Sequence, residues 1–160
     1  MFKPIFSLLS SKSKKGETKA TEKNDLSWLD PYGKGPYIPK ISIDSDRKKV
    51  YMLGAAYMEN SAVFFDELIN FLSKSLKKED WQSLHLSLDY FNSGSSKGLL
   101  KLFFTCKEWS KEYPDISVHW HFDSLDSDLK EEIQDFTDDT GLPIIMDENG
   151  YLTKDDLPQN

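Results

Sequence analysis

Hydrophobic and polar residues alternate with two distinct periods along this chain, and the switches between them mark out the elements. Ile38 to Asp44 and Lys49 to Ala56 alternate as strands do, with Ser45-Asp46-Arg47-Lys48 between them as a hairpin turn. Ser61 to Lys77 changes to helical spacing: Phe64, Phe65, Leu68, Ile69, Leu72 and Leu76 recur at three and four, and Asn60 or Ser61 can cap the start. Leu84 to Phe91 returns to period two, with Leu84, Leu86, Leu88 and Tyr90 on one face and His85, Ser87 and Asp89 on the other. Ser95 to about Ser110 reads as a helix that is apolar nearly all round, through Leu99, Leu100, Leu102, Phe103, Phe104, Cys106 and Trp109. Such a helix is buried on two sides or carries a binding surface, and burial is the reading adopted. Ile116 to Phe122 is a strand with Val118 and Trp120 facing one way and His119 and His121 the other. Asp126 to Thr140 is a helix with the narrow stripe Leu129, Ile133 and Phe136, and Leu142 to Met146 is a short last strand, with Pro143 suiting an edge position.

The resulting order is β-β-α-β-α-β-α-β. Strands alternating with helices give parallel right-handed crossovers, and the opening hairpin adds one antiparallel pair. The fold class is therefore α/β, with a mixed sheet of about five strands. The central strands alternate instead of running wholly apolar, so helices are expected mainly on one face, with the other face at least partly wet.

Flanking this core, residues 1–35 have no sustained period and read as a tail or linker, with Trp28, Leu29 and Tyr32 able to dock on the domain. Residues 148–160 read as a polar tail, leaving a folded domain at 36–147. The 160-residue length and 38% hydrophobic content suffice for one real core. The net charge of −7 argues against general nucleic-acid binding. Cys106 is the single cysteine, which removes any intrachain disulfide or cysteine-based zinc site and fits a cytoplasmic location. No apolar run approaches the roughly 20 residues of a membrane span.

The chemistry concentrates in Asn92-Ser93-Gly94-Ser95-Ser96, between a strand and a helix. A helix N-terminus has unpaired N–H groups and a partial positive charge. A serine there can cap the helix, line an anion site, or be phosphorylated. Ser93-Gly94-Ser95-Ser96-Lys97-Gly98 is not a Walker A loop, since its lysine precedes Gly98. His85, His119 and His121 share the polar sheet face and would gather near Asp89 and Asp123 if their strands are neighbours; solvent-facing spacers are the preferred reading over a metal site. The carboxylates from Asp123 to Asp139 read as a solvated helix face, with a basic partner surface second. No G-x-S-x-G elbow supports a serine nucleophile.

Taken in order, Pro39 to Asp44, then Gly54 to Tyr57 with Glu59, Asn60 and Ser61, then Leu88-Asp89-Tyr90-Phe91-Asn92-Ser93-Gly94-Ser95-Ser96-Lys97-Gly98-Leu99-Leu100, then Val118 to Asp123, resemble the segments of the SiaC-type bacterial regulatory phosphoproteins. Three positions depart from that family's G-E-S-Y-P-E-N block: Ala55, Ala56 and Met58 replace Glu, Ser and Pro. The resemblance implies a domain like the anti-sigma-factor antagonists, and a non-enzymatic partner switch without a cofactor or metal. It implies a protein kinase and a PP2C-type phosphatase acting on one hydroxyl of the turn, and an output protein, such as a diguanylate cyclase, bound by the unphosphorylated form. The acceptor maps to Ser93, where the family more often has Thr, with Ser95 and Ser96 as alternatives. Asn92, Gly94, Ser95, Ser96 and Lys97 would shape the partner-binding turn. Two other uses of the residues stay open: a ligand- or phosphate-binding α/β domain, and a structural adaptor whose hydroxyls only cap the helix.

Overall fold

The computed structural model describes residues 38–158. The expected order is observed: strands β1 (Lys40–Asp44), β2 (Lys49–Ala56), β3 (Ser83–Phe91), β4 (Ser117–His121) and β5 (Ile144–Asp147), with helices α1 (Ser61–Lys77), α2 (Ser93–Glu112) and α3 (Ser127–Thr140) in the crossovers. The expectations about residues 1–35, including Trp28, Leu29 and Tyr32, lie outside the described residues.

The sheet runs β1-β2-β3-β4-β5, in chain order. β1 pairs antiparallel with β2, and the other pairs are parallel. Successive crossovers of one hand carry the helices to the same side of the sheet. One core forms there: Ile41, Ile43, Val50, Met52, Leu84, Leu86, Leu88, Val118 and Trp120 from the strands meet Phe64, Phe65, Leu68, Leu72, Leu99, Leu102, Phe103, Cys106, Ile133 and Phe136 from the helices. α2 is the middle helix, in contact with α1 on one side and α3 on the other. Its nearly all-round apolar sequence follows from that position, although Phe104 remains 46% exposed.

Three expectations are corrected. Tyr90 does not join Leu84, Leu86 and Leu88 in the core. The β2–β3 register pairs Leu88 with Gly54 and Tyr90 with Ala55, leaving Asp89 as an extra residue. This bulge reverses the alternation: Tyr90 is 54% exposed, and Phe91 turns inward, its ring tilted against those of Trp120 and Phe136. Next, α2 begins at Ser93, two residues before the expected Ser95, so the serines occupy its first turn. Finally, the face opposite the helices is drier than expected. Ser42, His85 and Ser87 are buried, and so are Tyr51 and Leu53.

Part of the cover comes from the stretch read as a polar tail. Leu157 packs on Tyr51 and Leu53, with Leu152 beside it. The Leu152 amide donates to Ser87 Oγ (2.8 Å), and Thr153 with Asp156 forms a capping box on a short 3-10 helix, Lys154–Asp156. Tyr151 donates its hydroxyl to Asp126 Oδ2 (2.9 Å). A few apolar side chains spaced among acids are enough to hold this strap.

Candidate functional site: the serine turn at the start of α2

In a parallel sheet, every strand ends at the same edge, and the helix that follows starts there. The chain leaves β3 at Phe91 and turns into α2 at Asn92, whose backbone is extended (φ −85°, ψ 177°). Asn92 is the N-cap: its Oδ1 accepts the Ser95 amide (2.9 Å), and its carbonyl accepts the Ser96 amide (2.8 Å). Its own amide donates to the carbonyl of Ala56 (3.1 Å), and its side-chain amide reaches the carbonyl of Met58 (3.5 Å). The cap therefore also ties the turn to the end of β2.

α1 starts beside it. A Cβ added to Gly94 would stand 2.7 Å from Ser61 Oγ, so the first turns of α1 and α2 are packed together. Neither first turn contains an acidic residue. Two helix N-termini side by side, with no carboxylate within either first turn, favour negative charge at this spot.

The candidate residues separate clearly within this turn. Ser93 is exposed at the first helical position, Ser96 is half-buried, and Ser95 is fully buried with a hydroxyl that has no hydrogen-bond partner. Gly94 supplies the close approach to Ser61. Lys97 is exposed, and with Ser96, Leu100, Phe136 and the carboxylates of Glu132, Asp135 and Asp139 it lines a groove of about 250 Å3 between α2 and α3. Beside the turn, Tyr57 and Tyr90 form an exposed aromatic pair with ring centroids 5.4 Å apart, a feature hidden from sequence by the bulge.

The three histidines do come together, on the sheet face away from the helices. The expected acids do not join them; Asp147 of β5 does. His85 Nδ1 and His121 Nε2 are 2.9 Å apart, His85 Nε2 and Ser83 Oγ 3.0 Å, and His121 Nδ1 and Asp147 Oδ2 3.3 Å. His119 stacks on His85 at 4.4 Å and bonds Ser117 Oγ through Nε2. Among the described residues, no three His, Cys, Asp or Glu side chains are placed to hold a metal ion. The aspartate Asp147 lies at the end of β5, and its partnership with His121 depends on the β4–β5 register, which no local pattern encodes.

A one-sided, mixed five-stranded α/β sheet with its serine turn at the carboxyl edge is the anti-sigma-factor-antagonist-like architecture. Residues 33–148 match the model of the SiaC family of regulatory phosphoproteins, and the chain belongs to that family. An uncharacterized protein of Pseudomonas aeruginosa is 28% identical over 111 residues, 68% of this chain and 86% of that protein. The structure of apo-SiaC from Pseudomonas aeruginosa superposes with a TM-score of 0.62 at 24% identity, covering 77% of this chain and 98% of that one. A structure of the diguanylate cyclase SiaD from Pseudomonas aeruginosa with its activator SiaC matches with a TM-score of 0.63 at 24% identity, over 71% of this chain and 94% of that one. Among the described residues, no helix is long and apolar enough to cross a membrane.

Proposed function

We propose that this protein is a non-enzymatic phosphorylation switch with Ser93 as its acceptor. In this reading a protein kinase modifies Ser93 and a PP2C-type phosphatase reverses it. The unmodified turn binds and activates an output protein, a diguanylate cyclase by analogy with the SiaD–SiaC pair. The setting is the cytoplasm.

The observation that carries the reading is the exposure of Ser93, against the burial of Ser95, on a turn fixed by the Asn92 cap. A phosphoryl group adds roughly −1.5 to −2 charges at pH 7. At the first position of α2 it meets a helix N-terminus, an interaction worth about 0.3–1 kcal/mol, so the modified turn keeps its fold. The added bulk and charge instead act on whatever packs over the turn. The Tyr57–Tyr90 pair and Asn92, Gly94, Ser96 and Lys97 form the surrounding surface in this reading, and Ser95 supports it from inside.

The test is binding to the cognate cyclase. Ser93→Ala is expected to bind and activate it constitutively, and Ser93→Asp to bind at least tenfold more weakly. Equal affinities for the two variants would reject the switch. Phosphosite mapping on protein from its own cells is expected to place the phosphate on Ser93. A shift of several degrees in melting temperature with a nucleotide or metal would favour the ligand-binding alternative instead.

A further inference from the structure

The histidine cluster lies beside the strap, on the face opposite the helices, and the serine switch does not use it. Its hydrogen bonds run in one direction. A carboxylate only accepts, so His121 Nδ1–H donates to Asp147. The other nitrogen of a neutral His121 is then an acceptor, so His85 Nδ1–H donates to it. His85 Nε2 in turn accepts from the Ser83 hydroxyl. The chain Ser83→His85→His121→Asp147 is complete with both imidazoles neutral.

A further proton on this chain has one place to go without breaking any of its bonds: His85 Nε2, with the Ser83 hydroxyl turning round to accept. The cation would then lie at the centre of the face, buried, 4.4 Å from the His119 ring centroid and 5.6 Å from that of Tyr51. The charged and titratable groups facing the cluster are Lys49 and Tyr51 of β2, His119 and His121 of β4, Asp147 of β5 and Asp156 of the strap. Lys49 and the two other histidines oppose the charge, and Asp147 and Asp156 favour it. Burial outweighs the carboxylates: all three histidines are held below the ordinary imidazole range, with burial the largest cause for each, and His85 falls to about 3.

The strap is the element that can yield. It is held by Leu157 on Tyr51 and Leu53, by the Leu152 amide on Ser87 Oγ, by Tyr151 on Asp126 and the edge of the core, and by the Gly150 amide on the Phe122 carbonyl (3.0 Å), whereas β3 and β4 are central strands fixed by ladders on both sides. We propose that residues 150–157 are a proton-released strap: acidification charges the His85–His121 chain, and the strap lifts from the sheet to let water reach it. Removing the strap and protonating His85 are then linked, each favouring the other.

The size of the effect follows from the linkage. If lifting the strap returns His85 from about 3 to the ordinary value near 6.5, the opening equilibrium grows about 30-fold between pH 7.5 and pH 5. Hydrogen exchange on the full chain, expressed as protection factors, reads this directly. Protection of the 150–157 amides is expected to fall about 30-fold while α2 amides stay protected, and the fall is expected to vanish in His85→Gln. The reciprocal arm uses Leu157→Ala, which loosens the strap without touching a histidine: the NMR titration midpoint of His85 is expected to rise from about 3 toward 6.5. Three results of the exchange experiment would overturn the proposal. They are constant strap protection down to pH 5, an equal fall in His85→Gln, and parallel loss of protection in α2, which would mean global unfolding. An unmoved His85 midpoint in Leu157→Ala would also overturn it, whether or not His85→Gln folds.

Discussion

Gly98 lies flat against the ring of Phe65: a Cβ built on Gly98 would stand 2.1 Å from that ring's Cδ2. Both residues are buried, and the contact sets how closely α1 and α2 approach just below the serine turn. Gly98→Ala is therefore expected to destabilise the fold by about 1–3 kcal/mol, although alanine is the better helix former. Urea denaturation would show it. Adding Phe65→Leu should make the pair less destabilised than the sum of the two single changes, and strict additivity would count against this contact.

Asn92 fixes the first turn of α2 through its bond to the Ser95 amide. Asn92→Ala is expected to lose about 1 kcal/mol and Asn92→Asp to lose less, because aspartate keeps the cap on the Ser95 amide and gives up only the long 3.5 Å contact to the Met58 carbonyl. Thermal melts of the two variants would separate them.

The strands and helices were legible because each apolar set meets one shared core. What stayed hidden depended on contacts distant in sequence. Asp89 itself announces no bulge; the signal lay across the ladder in Gly54, an isolated strand glycine with φ +108° at the register shift, and so Tyr90 and Phe91 exchanged faces. The early start of α2 was closer to legible, since asparagine is a preferred cap and Ser95 lies three residues after Asn92. The histidine face could be read from alternation, but its acid could not. The strap was misread because Tyr151, Leu152 and Leu157 are too few to outweigh acidic composition until Tyr51 and Leu53 are seen beneath the two leucines and the edge of the main core beneath Tyr151.

Glu67 is buried on α1 with neither carboxylate oxygen hydrogen-bonded, and burial raises its pKa. A carboxyl with a raised pKa in the folded state favours folding when protonated. That benefit is present below the ordinary value near 4.5 and is lost as pH rises through the folded value. Glu67→Leu is expected to stabilise the protein at pH 7 by about 1–3 kcal/mol, with a smaller gain at pH 4. Denaturation at the two pH values checks both size and sign.

The depressed histidines act in the opposite sense. Their contribution to stability is complete above about 6.5 and is lost as pH falls toward the folded values, about 3 for His85. The urea midpoint is expected to drop between pH 7.5 and pH 5, and to drop less in His85→Gln.

Cys106 is buried on the inner face of α2, and burial pushes its thiol up to about 12. It is expected to resist a thiol reagent in the native protein at pH 8 and to react completely in denaturant. Rapid native labelling would mean that α2 opens far more readily than its packing implies.

The sheet is laid down in chain order, each new parallel strand joining the one made before it. Such a sheet can grow as the chain emerges, with β1 to β3 and α1 already able to pair before β4 exists. The serine turn belongs to that early part, since its ties run to Ala56, Met58 and Ser61. β5 and the strap come after it, so during synthesis the serine turn is in place while the face opposite the helices is still uncovered. A nascent chain held at that stage would present the Ser93 turn fully formed before the opposite face had closed.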